Sequence, residues 1–463
     1  MNNLSAEYLD LETPPDVVVT DRIRPLITDP TLGVPLGNGG PLALANPARR
    51  LVTIGDSLTH GMSSAAVFFT DRSWPALVAS AIGAKGFSYP KYGGPLDGLP
   101  LNLEALARRI QDELGDDLNF VDVVRLPFVL QDLLDGNEDY WEGRAAQHPP
   151  VPSTRFDNLG IYGWDVRDAL SYTAQLAATN SALPSSDTLL GARPEHDSDI
   201  AAASVLVPFG PAATQISAAA AQGDAGGIDT LVVMLGANNA LRSVVDKNPI
   251  WSGDGYDQIG TKGAYNVWRP THFALEYSEL VNALRAVTAN RVILATVPHV
   301  TIPPIANGVN PTNPGQKWRP GSRYFPYYTD PWIDEKRFRP DKDRNITHQQ
   351  ARAIDSAIDQ YNDTICSAVR TARQDGRNWY ILDLCGILDA LAERRYITDP
   401  AAADRNDWHP YVLPPAIADL TTRFFLSDAK GRIQGGLFGL DAIHPTTSGY
   451  GVIVPGGAGY SQP

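Results

Sequence analysis

Leu51-Val52-Thr53-Ile54 runs directly into Gly55-Asp56-Ser57-Leu58-Thr59. The apolar and β-branched run predicts a buried strand over 50–55, followed by a helix within about 63–83 whose Ala, Val, Phe, Trp and Leu content suits a buried face. Ser57 therefore stands where a strand empties into the loop before a helix. A hydroxyl at such a junction is held rigidly, as a nucleophile must be.

Further along, Thr230-Leu231-Val232-Val233-Met234-Leu235 is a continuous apolar run bounded by Gly236, as expected of a parallel strand buried on both faces. Residues 291–297 and 379–384 repeat the pattern, each after a helical stretch. A further strand is expected near 153–159, running into Gly160-Ile161-Tyr162-Gly163-Trp164-Asp165, with a helix at about 165–180. The best-defined helix is 347–373: Thr347 and Gln350 have capping-box spacing, and Ile354, Ile358, Tyr361, Ile365 and Val369 recur at steps of three or four. This alternation predicts an α/β fold, a three-layer α/β/α sandwich around a parallel sheet. Such sheets place ligands at the carboxyl ends of their strands, where Ser57, Asn238 and Gly163 fall.

Residues 1 to about 48 carry Pro14-Pro15 and Gly37-Asn38-Gly39-Gly40 without a helical period and are expected to form an extended arm. Residues 49–463 then read as a single domain with insertions at about 86–150 and 242–346. The second insertion holds Trp251, Trp268, Trp318 and Trp332 with Tyr324, Phe325, Tyr327 and Tyr328. These aromatics either wall a lid or binding loop or anchor the insertion to the core.

Of the 463 residues, 43% are hydrophobic and 19% charged, which suits a globular chain with a sizeable core. The net charge of −14 repels phosphate backbones, so nucleic acid is not an expected partner. No segment has the ~18 apolar residues of a membrane helix, and the start lacks a signal peptide's basic and apolar regions. A cytoplasmic location is expected, with secretion left open. Cys366 and Cys385, the only cysteines, are expected to be buried reduced thiols. No His/Cys/Asp/Glu cluster has metal-ligand spacing, and neither a Walker A nor a dinucleotide fingerprint follows a strand, so no metal or cofactor is expected.

Near the far end, Asp441-Ala442-Ile443-His444-Pro445 supplies a carboxylate and an imidazole. These are the two groups that a serine nucleophile needs: His444 to take the hydroxyl proton and Asp441 to hold the ring. With Gly163 and Asn238 between, the chain resembles the SGNH, or GDSL, hydrolase superfamily, named for its Ser, Gly, Asn and His. Its blocks here are Gly55 to Thr59, Asn158 to Gly163, Gly236-Ala237-Asn238-Asn239, and Asp441 to His444. The resemblance implies a Ser57–His444–Asp441 triad. It also implies an oxyanion hole from the backbone N–H groups of Ser57 and Gly163 and the Asn238 amide, with Gly160 as the alternative glycine. Asn239 stands where the family usually has Asp, and the tail after His444 is short and glycine-rich.

His409, in Asp407-Trp408-His409-Pro410, is the rival base. His60 is too close in sequence to Ser57 to be the obvious base but could touch substrate, and His299, beyond a strand end, is either a pocket residue or an ordinary loop histidine. The implied activity is cleavage of carboxylic esters through an acyl-enzyme, by an esterase or lipase. A carbohydrate O-acetyl esterase, a thioesterase and a non-catalytic binding module on a hydrolase fold are the alternatives. The implied partner is a small-molecule, lipid or glycan ester.

Overall fold

The computed structural model describes residues 6–20, 23–115, 120–143, 154–183, 194–392, 411, 413, 415, 426–428, 431–434 and 436–453. In chain order the strands begin with β1 (Arg49–Gly55) and a short antiparallel group, β2 (Met62–Ser63), β3 (Ala66–Val67) and β4 (Leu99–Pro100). β5 (Ile228–Met234) and β6 (Ala289–Ala295) follow. A second antiparallel group is β7 (Asn307–Val309), β8 (Tyr327–Thr329) and β9 (Asn345–Thr347), and β10 (Trp379–Leu382) comes next. β1, β5, β6 and β10 form the central sheet in the order β1-β5-β6-β10, all parallel, as in an α/β fold.

The helices are α1 (Ser57–His60), α2 (Trp74–Ala81), α3 (Leu103–Leu114), α4 (Phe120–Trp141), α5 (Val166–Ser171) and α6 (Ala174–Ser181). They continue with α7 (Asp197–Leu206), α8 (Gln215–Asp224), α9 (Leu241–Val245), α10 (Pro270–Arg285), α11 (His348–Gln374), α12 (Leu384–Leu391) and α13 (Thr447–Ile453). α11 begins as the sequence predicts. Gln350 N–H donates to Thr347 Oγ1 at 3.3 Å while Thr347 N–H donates to Gln350 Oε1 at 3.0 Å.

Strand side chains separate into two cores because successive residues point to opposite faces. Val52, Ile54, Leu231, Val233 and Leu294 cluster with Ile216 of α8, Phe273 of α10 and Ile358 of α11. Leu51, Val232, Met234 and Ala295 meet Trp74 of α2, Leu384 of α12 and Tyr450 of α13. Burying each large aliphatic side chain contributes about 1.5–3 kcal/mol, so these two cores fix the sheet that carries the site.

Three expectations change. The strand expected at 153–159 is instead a hydrogen-bonded run along β1: Thr53 N–H donates to Asp157 O, Leu159 N–H to Thr53 O and Ile161 N–H to Gly55 O. It aligns parallel to β1 through the Thr53–Asn158 bridge and delivers Gly163 to the sheet's carboxyl end. The helix expected over 165–180 breaks between α5 and α6, where Thr173 restarts the chain by capping Leu176 N–H. The helix expected within 63–83 shrinks to α2, because the β2–β3 hairpin takes the first residues.

The 86–150 insertion contains α3 and α4 rather than irregular chain alone. Asn102 caps α3, and Asn137 and Trp141 of α4 donate to the carbonyls of Pro100 and Gly98. The N-terminal segment lies along α11 and β10. Asp16 pairs with Arg269 at 2.9 Å, and Ile381 N–H of β10 donates to Pro30 O, which occupies a sheet edge that would otherwise offer free main-chain groups. No helix among the described residues is long and apolar enough to cross a membrane.

Candidate active site

Gly55 ends β1 opposite Met234 of β5. A Cβ there would lie 2.0 Å from Thr59 Oγ1 and 2.6 Å from Met234 O, so only glycine lets the chain turn this tightly into α1. Asp56 caps the turn through Oδ1, which accepts from Leu58 N–H at 3.0 Å. Ser57 is the first residue of α1 and is 6% exposed.

Although 387 positions apart in sequence, Ser57 Oγ and His444 Nε2 lie 2.8 Å apart. His444 Nδ1 is 2.6 Å from Asp441 Oδ2. The three groups thus form one file from hydroxyl to imidazole to carboxylate. The Asp-x-x-His turn closes because Ala442 adopts a left-handed conformation at φ 66°, letting Asp441 Oδ1 accept from both Ile443 and His444 N–H groups at 3.0 and 2.9 Å. Burial pushes the Asp441 carboxyl up, but His444 and these backbone donors outweigh it and hold the group below the ordinary carboxylate range. It is therefore the ionised form that faces the ring.

Asn238 follows β5. Its Nδ2 donates one hydrogen to Trp164 O at 2.9 Å, which fixes the amide and leaves its second N–H for a ligand. Gly163 sits at φ 76°, a conformation that favours glycine. No hydrogen bond occupies the Ser57 or Gly163 backbone N–H among the described residues. Ser57, Gly163, Asn238 and His444 line one cavity of about 270 Å³, so the sequence-selected groups converge except for Asp441, which stands behind His444. Asn239 Oδ1 accepts from Val166 N–H at 3.3 Å and ties this loop to α5, the part of a carboxylate's role that an amide oxygen can fill.

Apart from Trp268, one of the insertion aromatics, the rest of the cavity wall is not singled out by the sequence. Met62, Tyr162, Leu241, Tyr265 and Trp268 supply apolar and aromatic surface, while Asp165, Arg167, Lys262 and Arg242 supply charge. Arg167 is fully buried; its two terminal nitrogens donate to the carbonyls of Tyr256 and Gln258, to Tyr265 Oη and to Asp165, while its Nε lies 3.9 Å from Asp168 without a hydrogen bond. Lys262 pairs with Asp168. Burial and the neighbouring Asp168 push Asp165 up to about 6, against the pull of Arg167 and Lys262. The aromatic insertion divides: Trp268 faces the cavity, Tyr324, Phe325 and Tyr328 join the core, and Trp332 is exposed.

His60 does not reach the cavity. It is fully buried behind Ser57, and burial pushes its pKa down to about 3. His299 is not a pocket residue either: its Nδ1 lies 3.1 Å from Asp389 and its Nε2 3.3 Å from Asp359. Burial opposes protonation there, but the surrounding Asp389, Cys385, Asp355 and Asp359 hold the ring's pKa well above the ordinary histidine value. His299, Asp359 and Cys385 bring ligand-type atoms within 4.8 Å of one another. A ring with Nδ1 hydrogen-bonded to Asp389 and Nε2 within ion-pair range of Asp359 is instead the setting of a buried imidazolium. Cys366 and Cys385 are both free and buried, and burial raises the Cys385 thiol to about 12. Cys385 lies in the first turn of α12. His409 and the residues after Ile453 lie outside the described residues.

No protein-family model matches the chain, and comparison with curated proteins and with solved structures finds no similar protein.

Proposed function

We propose that the protein is a serine esterase of the SGNH type, built as a three-layer α/β/α sandwich. The carrying observation is the file Ser57 Oγ, His444 Nε2, His444 Nδ1, Asp441 Oδ2, with contacts of 2.8 and 2.6 Å opening onto a cavity. Ser57 Oγ attacks the acyl carbonyl as His444 Nε2 takes its proton. The oxyanion is held by the N–H groups of Ser57 and Gly163 and by Asn238 Nδ2. The C–O bond to the alcohol breaks, and His444 returns the proton to the leaving oxygen. Water, deprotonated by the same nitrogen, then attacks the acyl carbon, the C–Oγ bond breaks, and His444 returns the proton to Ser57 Oγ as the acid leaves.

The cavity favours a small acyl group. Its wall is partly charged, with Asp165, Arg167, Arg242 and Lys262 beside Tyr265 and Trp268. Short acyl esters of polar alcohols fit this better than long lipid chains. Turnover of p-nitrophenyl esters from acetyl to dodecanoyl tests both statements. Activity should peak at the short end and vanish in Ser57→Ala, whereas Ser57-independent hydrolysis would overturn the assignment.

A further inference from the structure

The nucleophile turn and the loop carrying Gly163 are docked backbone to backbone. A Cβ on Gly160 would lie 2.4 Å from His60 N, Asn158 Nδ2 donates to Thr59 O at 2.8 Å, and Ile161 N–H donates to Gly55 O at 3.0 Å. Next to Gly163, His60 Nδ1 lies 3.3 Å from Tyr162 N. A backbone N–H can only donate, so Nδ1 must be unprotonated and Nε2 must carry the hydrogen. Its partner fits: Nε2 is 3.1 Å from Tyr92 Oη, Tyr92 is 2.7 Å from Ser204 Oγ, and Ser204 donates to Ala201 O at 2.7 Å. Every donor in this file meets an acceptor only when His60 is neutral and protonated at Nε2. The ring also stacks on Tyr162 at 5.8 Å, and Tyr162 lines the cavity.

We propose that His60 is a positioning residue: by accepting the Tyr162 N–H it sets the Tyr162–Gly163 peptide, and so aims the Gly163 N–H at the oxyanion. The inference rests on the esterase reading for its catalytic consequence but not for its structural one. Burial, which holds the ring neutral down to a pH of about 3, keeps this acceptor in place across the working range. His60 therefore contributes no limb to a pH–rate profile.

Three variants separate positioning from bulk packing. In His60→Asn the side-chain oxygen takes the place of Nδ1, in His60→Gln it takes that of Nε2, and in His60→Phe the ring remains with no acceptor. Phe and Gln should lower kcat on the order of tenfold or more with KM little changed, within what one oxyanion donor contributes, while Asn retains most of kcat. The pH profile should keep its shape in all three. Amide hydrogen exchange at Tyr162 and Gly163 should accelerate in Phe and Gln and stay near wild type in Asn. Equal kcat in all variants, or unchanged exchange in Phe, overturns the proposal. If the wild-type protein hydrolyses no ester, the esterase reading fails, and the exchange measurement alone still decides whether His60 holds the loop.

Discussion

The backbone N–H of Ala65 donates to Asp441 Oδ2 at 2.7 Å, the same oxygen that faces His444. Ala65 and Ser64 form the tip of the β2–β3 hairpin, and both hold positive φ, 66° and 48°. Non-glycine residues there cost roughly 1–2 kcal/mol each, which the fold sustains where the donor is needed. Ala65→Gly should keep turnover and stability. Ala65→Val, which cannot hold that conformation, should lower kcat about tenfold or more, since a hydrogen bond to a charged group is worth about 1.5–3 kcal/mol. Steady-state kinetics with a thermal melt checks both.

Gly160 and Gly163 should respond differently to alanine. A Cβ at Gly160 meets the backbone of Thr59 and His60, whereas one at Gly163 meets nothing within 4 Å. Gly160→Ala should destabilise the fold by several kcal/mol through the clash. Gly163→Ala should melt within about 1–2 kcal/mol of wild type, the cost of positive φ, while losing turnover because the donor peptide moves.

Asn238→Ala removes a donor already oriented by Trp164 O. Turnover should fall about 10²–10³-fold with KM nearly unchanged, which is the pattern of a contact made mainly in the transition state. Equal losses in kcat/KM and in product affinity would instead assign the amide to ground-state binding.

Asp56 should make stability fall as pH rises. Burial lifts its carboxyl from the ordinary 3.8 to about 7, against the Leu58 N–H and the neighbouring His444. Below the unfolded value both states are protonated and nothing is lost. Between 3.8 and about 7 the unfolded chain ionises while the folded group resists, so stability declines through that window. Asp56→Asn, which keeps an acceptor for Leu58 N–H, should flatten the decline. Urea unfolding at pH 5 and pH 8 should show the variant gaining relative to wild type by about 1–4 kcal/mol at the higher pH. Parallel curves would contradict the buried-acid account.

What the sequence made legible follows from which groups act through side chains in regular elements. β1, β5, β6, β10 and α11 announce themselves by apolar runs or a 3.6-residue period, and Ser57, Asn238, Asp441 and His444 are read from short blocks beside them. The run 157–161 was misplaced because its pairing with β1 uses main-chain bonds without a strand-like composition. Ala65 was invisible for the same reason, since its contribution is one N–H at a hairpin tip. Arg167 and Tyr265 reach the cavity from α5 and from a loop inside the 242–346 insertion, and nothing in their local pattern marks that convergence, whereas Trp268 belongs to the aromatic set whose role as wall or anchor the sequence leaves open. His60 stands three residues from Ser57 in sequence, and only the fold shows that it faces Tyr162 rather than the cavity.

The central claim, a serine made nucleophilic by His444, is tested most directly by covalent labelling. Treatment with diisopropyl fluorophosphate followed by intact-mass and peptide mass spectrometry should place a single adduct on the peptide containing Ser57, with none in Ser57→Ala and much slower labelling in His444→Ala. A folded wild-type protein that takes no adduct, or takes it elsewhere, would contradict the account and favour the reading as a non-catalytic binding module.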